Sequence, residues 1–145
     1  MELRTKTRRW GNSIAIILPK IVVDEIEELV KYFGAHPANK LNLKIIDEMF
    51  VLNTRHYTGI ANEILRRGLG DSLNTWAYSR IDTVRENNLD LLKKAGFNWL
   101  VLGIESGSSL VRHGVEKGRF KDTDIGRVVK TIKDAGIYVL GNYIF

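Results

Sequence analysis

The sequence predicts an α/β fold: helix–strand repeats building a parallel sheet, preceded by an N-terminal β-hairpin. Three observations lead there. From Val22 onward, stretches with helical spacing of apolar residues alternate with short apolar runs. Arg67-Gly68-Leu69, Ala95-Gly96-Phe97 and Ala135-Gly136-Ile137 each place glycine between a helix and a strand, where a left-handed residue turns the chain out of a helix. The run Phe97-Asn98-Trp99-Leu100-Val101-Leu102-Gly103-Ile104 is almost wholly apolar, as suits a strand of a parallel sheet covered on both faces. Such units, joined by right-handed crossovers, close into a barrel or open into a doubly wound sheet; periodicity alone does not choose.

Each element has its own signal. Leu3 to Trp10 alternates basic residues with strand formers, Gly11-Asn12 is a turn pair, and Ser13 to Leu18 is a second, more apolar strand. Pro19 ends that strand and suits the first turn of a helix. Val22, Val23, Ile26, Leu29, Val30 and Phe33 follow helical spacing up to Gly34. After a connector around Pro37 and Asn39, Leu41 to Ile46 reads as a strand that ends at Asp47-Glu48. A helix is expected from Thr54 to Arg67 and a strand from Leu73 to Ser79. A third helix should open at Asp82, where Thr83 and Glu86 have capping-box spacing, and close at Gly96. A further helix starts at Thr123 or Asp124, and the last strand runs from Ile137 to Phe145. The division is thus residues 1–20, a basic hairpin, and 21–145, the barrel portion.

The chain has 145 residues, 44% of them hydrophobic and 27% charged, which is ordinary for one globular domain with its own core. No apolar run approaches the ~18 residues of a membrane span, and no signal peptide is visible, so a cytoplasmic protein without a membrane partner is expected. Cysteine is absent, which excludes disulfides, thiolate zinc sites and cysteine nucleophiles, together with the usual iron–sulfur ligands. The net charge is +5. Most of it lies in the first 23 residues, where Arg4, Lys6, Arg8, Arg9 and Lys20 stand against Glu2 alone. A basic end on a nearly neutral body is either an anion-binding arm, for nucleic acid among others, or a solvated strand.

In parallel α/β folds, function sits at the C-terminal ends of the strands. That rule selects Asp47 and Glu48, Arg80 and Asp82, Glu105 with Ser106-Gly107-Ser108, and Asn142. Acidic, basic and hydroxyl groups at one mouth suit an amino-acid-like or ribose-bearing ligand, and backbone N–H groups near Ser106 suit an anion. Helix capping by Asp82 and Ser106 explains either residue singly. His36, His56 and His113 lack metal-ligand spacing, so no metal site is expected. Trp76 and Trp99 fall within strands and are expected in the core. Gly103, Gly107, Gly114 and Gly118 form no dinucleotide fingerprint.

Ile45-Ile46-Asp47-Glu48-Met49-Phe50-Val51-Leu52-Asn53, Ser79-Arg80-Ile81-Asp82-Thr83-Val84, Leu92 to Gly96, Leu102 to Ser108 and Val115-Glu116-Lys117-Gly118, in that order, resemble the radical SAM superfamily, in the branch that often carries a cobalamin-binding domain. The resemblance spans about residues 22–145. It implies a (β/α)6 partial barrel that holds S-adenosylmethionine against a [4Fe–4S] cluster. It places Asp47 and Glu48 near the methionyl amino group, Arg80 near the ligand, Glu105 and Ser106 near the ribose, and Asn142 on the strand that contacts adenine and ribose. It also implies a CxxxCxxC loop before Val22, and this chain has none. No cofactor of this chain itself is therefore expected, and no radical chemistry from it alone; Ala35 to Lys40 also reads as an insertion against the family pattern.

Thr7-Arg8-Arg9-Trp10-Gly11-Asn12-Ser13 with Ile17-Leu18-Pro19-Lys20 resembles the first half of an AbrB/MazE-type swapped-hairpin domain. That resemblance implies DNA contacts from Arg4, Lys6, Arg8, Arg9, Asn12 and Lys20, and pairing between chains. Three readings follow: a cluster-less barrel fragment with weak S-adenosylmethionine-type ligand binding, a DNA-binding antitoxin-like module, or a structural chimera in which Ser13 to Leu18 replaces the first barrel strand. Unpaired sheet edges lead to the expectation of a homo-oligomer built through the hairpin or those edges.

Overall fold

The computed structural model describes residues 7–10, 13–16, 19–47, 50–105 and 124–143. At the N-terminus, β1 (Thr7–Trp10) pairs antiparallel with β2 (Ser13–Ile16) as a two-stranded sheet. Then α1 (Pro19–Tyr32), β3 (Leu41–Lys44), α2 (Thr54–Arg66), β4 (Leu73–Arg80), α3 (Leu89–Lys94), β5 (Phe97–Glu105), α4 (Ile125–Asp134) and β6 (Tyr138–Tyr143) follow. The four later strands form one parallel sheet in the order β3-β4-β5-β6. Sequential strands joined by helices and lying side by side are the arrangement of successive barrel units. Among the described residues, β2 pairs with β1 and takes no place in this sheet.

The helices start and stop where their residues require it. The Asn53 side chain accepts the His56 N–H at 3.2 Å and caps α2, and the Asp124 carboxylate accepts the Arg127 N–H at 3.0 Å and caps α4. The helix expected from Asp82 is a correction. Residues Ile81–Thr83 and Glu86–Asn88 form two short 3-10 turns, and α3 begins only at Leu89. Thr83 does not cap a helix. Its hydroxyl lies 3.0 Å from the Arg80 carbonyl and 3.1 Å from the Ser79 hydroxyl, which itself lies 2.9 Å from that carbonyl. Two hydroxyl protons shared among these three oxygens fix the turn that leaves β4.

One face of the sheet carries the core. Along β4, Leu73, Thr75, Ala77 and Ser79 are buried, whereas Asn74, Trp76, Tyr78 and Arg80 are half-buried. Tyr57, Ile60 and Ile64 of α2, Leu92 of α3 and Ile132 of α4 join Leu73, Ala77, Leu100 and Leu102 in one apolar cluster. The opposite face is the one a closed barrel turns inward. A register shift between Thr75 and Trp76 aligns Thr75 with Phe97 and Trp76 with Trp99, so that Asn98 is an extra residue in β5. Its amide donates to the Leu73 carbonyl at 3.2 Å and the Gly96 carbonyl at 3.3 Å, while Lys93 Nζ donates to its Oδ1 at 2.7 Å. Burial, and then the nearby Lys40 charge, lower the pKa of Lys93. Neither tryptophan is in the core as expected: alternation along β4 puts Trp76 on the half-exposed face, and the bulge sends Trp99 there too. Phe97 points into the core and Trp99 out of it, onto the half-exposed face beside Trp76.

Arg67, just past α2, ties α1 to α2. Its guanidinium donates to Asp24 Oδ1 at 2.6 Å, Glu27 Oε2 at 2.8 Å and Glu63 Oε1 at 2.8 Å. Hydrogen bonds from Arg66, then Arg67, hold the Glu63 carboxyl down to about 2, against an ordinary 4.5. Those from Lys31 and Arg67 lower Glu27 as well. A carboxyl depressed in the folded state contributes stability above its unfolded value and loses it as pH falls through the folded one. Thermal stability is therefore expected to fall between about pH 4.5 and 2, and Arg67→Met to make that fall shallower. Melting curves across the window check this; the same slope in both proteins would refute it.

Candidate functional site at the strand ends

The C-terminal ends of β3, β4, β5 and β6 lie at one end of the sheet because the strands are parallel. Register places Arg80 beside Gly103 and Gly103 beside Asn142, one row across three strands. Gly103 contributes no side chain between them. Arg80 donates through Nε to Asp82 Oδ1 at 3.0 Å and through Nη2 to Asp82 Oδ2 at 2.7 Å, a bidentate fork. With side-chain exposures of 30% and 16%, both groups sit at the rim, where the fork holds the guanidinium plane in place.

Asp47 follows β3 in a segment stitched to β4. The Ile45 N–H donates to the Trp76 carbonyl, the Phe50 N–H to the Asp47 carbonyl, and the Val51 N–H to the Tyr78 carbonyl. The loop carrying Asp47 thus leaves and rejoins the sheet along the strand that ends in Arg80. Glu105 ends β5, but a second register shift pairs it with Tyr143 and sets it outside the Arg80–Gly103–Asn142 row. Asn142 is exposed on β6. Glu48 and Ser106 lie outside the described residues, as do Arg4, Lys6 and Asn12. Arg8 and Arg9 are in β1, in register with Ala15 and Ile14, and Lys20 is exposed in the first turn of α1. Asp82, which the sequence suggests only as a rim acid or cap, is the partner of Arg80; its spacing from Arg80 was the available signal. A cleft of about 260 Å³ lies beside the mouth, lined by Val84, Glu86, Asp124, Arg127, Val128 and Thr131, and none of the site residues reaches it.

The architecture defines the class: part of a parallel (β/α) barrel with polar residues at the strand ends. No family model matches the chain. Over 138 residues it is 27% identical to an uncharacterized methyltransferase of Pyrococcus horikoshii, covering 94% of this chain and 27% of that protein. Over 65 residues, 45% of the chain and 14% of the relative, it is 34% identical to a putative methylthiotransferase of Methanocaldococcus jannaschii. It is 31% identical over 94 residues to an anaerobic magnesium-protoporphyrin IX monomethyl ester cyclase of Cereibacter sphaeroides, 63% of this chain and 14% of that one. In structure it superimposes with a TM-score of 0.71 on the radical S-adenosylmethionine methyltransferase TsrM of Kitasatospora setae, solved with cobalamin and a [4Fe–4S] cluster. That match has 24% identity and covers 88% of this chain and 25% of the other. The chain is thus similar in sequence to part of a methyltransferase, a methylthiotransferase and a cyclase, and shares part of the barrel fold of a radical S-adenosylmethionine methyltransferase. It spans roughly a quarter or less of the length of each.

A [4Fe–4S] cluster such as TsrM holds does not fit the residues present. Cysteine is absent from the sequence, and among the described residues no group of three or more His, Asp or Glu is placed to hold a metal. Among the described residues no helix is long and apolar enough to cross a membrane. Anaerobic reconstitution of this chain with iron and sulfide is expected to leave no stoichiometric iron or sulfide after gel filtration. Cluster absorbance that co-elutes with the protein would overturn this.

Proposed function

We propose that this chain is a ligand-binding portion of a radical SAM-type barrel, without catalysis of its own, that binds S-adenosylmethionine-type ligands weakly at the strand ends. The observation that carries the reading is the Arg80–Gly103–Asn142 row, with Asp82 holding the Arg80 fork in place. Gly103 places no side chain between a cation and an amide, groups suited to a carboxylate and to a ribose or base edge. Asp47, after β3, and Glu105, at the end of β5, fit the ammonium and ribose ends of such a ligand. Absence of cysteine and of a long apolar helix among the described residues supports a cytoplasmic setting. Isothermal titration with S-adenosylmethionine tests the reading. Binding is expected in the wild type, weakened about tenfold or more in Arg80→Ala, the loss of a charged hydrogen bond. No binding by the wild type at millimolar ligand would end it.

A second reading rests on the hairpin, whose β1 carries Arg8 and Arg9 opposite an apolar β2. It is DNA binding by an AbrB-like arm that pairs with a neighbouring chain, covering the open side of β3. Light scattering should then show an oligomer. The joint Arg8→Ala and Arg9→Ala change should reduce the log–log salt slope of DNA affinity by ~0.9 for each phosphate that is no longer neutralised. A monomer with no DNA affinity at low salt would discard this reading.

A further inference from the structure

At the N-terminal end of the sheet, opposite the mouth, one half-buried lysine is held without a carboxylate. Lys31, Lys94 and Lys130 each donate to a carboxylate four residues away at 2.6 Å. Lys93, near the end of α3, meets no carboxylate among the described residues; its Nζ donates to the neutral Asn98 Oδ1 at 2.7 Å. Asn98 is oriented by its own amide nitrogen, which donates to the Leu73 and Gly96 carbonyls and so turns Oδ1 toward the lysine. The Lys93 stem passes the turn into β6, where a Cβ at Gly136 would lie 3.5 Å from Lys93 Cε. Lys40, exposed just before β3, adds a second positive charge near the amine.

We propose that Lys93 is a site of N-acylation by a small acyl phosphate, with Asn98 holding the amine and Lys40 drawing in the anionic donor. An amine that is partly desolvated, or set beside another cation, is the better nucleophile near neutral pH, because more of it is unprotonated there. Burial, and then the charge of Lys40, act on Lys93 in that direction. Asn98 Oδ1 accepts one Nζ proton and leaves the lone pair of the neutral amine unoccupied. That lone pair attacks the acyl carbon. A C–N bond forms, the C–O bond to phosphate breaks, inorganic phosphate departs, and one Nζ proton passes to water. The resulting amide keeps one N–H for Asn98, so the bulge at the start of β5 is retained. Lys93 and Asn98 lie at the far end of the strands from Arg80 and Asn142, so the site does not rest on ligand binding at the mouth.

Lys94 supplies the comparison within the same molecule. Its side chain is 65% exposed and its amine is paired with Asp90, so access favours Lys94 and nucleophilicity favours Lys93. The full chain is treated with acetyl phosphate in mildly alkaline buffer. Cleavage after glutamate leaves both lysines on one peptide, Asn87 to Glu105, and fragment masses give the initial acetylation rate of each. In the folded protein Lys93 is expected to react about threefold or more faster than Lys94, and in denaturing guanidinium chloride the two are expected to react alike. Lys40→Gln is expected to lower the folded preference about twofold, and Arg80→Ala to leave it unchanged. Circular dichroism confirms that each variant is folded. The proposal fails if Lys94 reacts as fast as Lys93 in the folded protein, or if the preference persists in denaturant, where only local sequence acts. It also fails if Lys40→Gln leaves the preference whole.

Discussion

Gly96→Ala is expected to destabilise the fold by about 2–5 kcal/mol, and Gly68→Ala by only about 1–2 kcal/mol. Both glycines end helices with positive φ, +84° at Gly96 and +66° at Gly68, so each substitution forces a side chain into the left-handed region. Their surroundings differ. A Cβ at Gly68 meets nothing within 4 Å, whereas one at Gly96 would lie 2.6 Å from the Gly70 carbonyl oxygen and 2.8 Å from Leu73 Cβ. Backbone at that distance has no flexible end to swing away, so the turn into β5 must move and disturb the Thr75 N–H bond to the Gly96 carbonyl. Denaturant titrations of the two variants give the comparison. Equal losses would mean that the close approach at Gly96 has no energetic weight.

Phe97→Ala is expected to cost about 3–5 kcal/mol, and Trp99→Ala, a larger truncation two residues away, only about 1–2 kcal/mol. Phe97 is fully buried and stacks on Phe50 with centroids 5.5 Å apart, so its removal opens a cavity in the cluster that holds the helices to the sheet. Trp99 lies on the other face, where truncation forfeits its stacking on Trp76 and Tyr138 but opens no cavity in the core. Midpoints and slopes from the same denaturant measurement settle the order. A Trp99→Ala loss as large as that of Phe97→Ala would return Trp99 to the core and remove the basis for the bulge at Asn98.

Much of the fold was legible because it is written in local chemistry. Gly34, Gly68, Gly96 and Gly136 all adopt φ between 59° and 84°, at the four helix ends where sequence placed them. Asp124 caps the helix it was expected to open, and α2 begins at Thr54 as its spacing indicated. The misread helix at Asp82 shows the limit of such signals. Thr83 and Glu86 have the spacing of a capping box, but the Thr83 hydroxyl turns back to the Arg80 carbonyl and delays the helix to Leu89. A short polar side chain has several backbone partners within reach, and tertiary context selects among them.

The candidate site was legible as residue types and only in part as an arrangement. That Arg80 and Asn142 belong to the ends of parallel strands follows from the helix–strand alternation. That they share a row, while Glu105 pairs with Tyr143 outside it, follows from a register shift between Gly103 and Glu105 that no single strand announces. The same holds for Trp99. Strict alternation from Phe97 would bury both rings, and one extra residue at Asn98 sends the second to the opposite face. By itself, then, the sequence determined where the helices end, that the segment from Phe97 is a buried strand, and that no thiolate exists to hold a cluster. These depend on the φ each residue tolerates, on apolar spacing and on the presence of a sulfur atom. Tertiary structure alone decided register, bulges and the face each ring occupies, because these are set by hydrogen bonds to a neighbouring strand that lies 20 to 40 residues away in the chain.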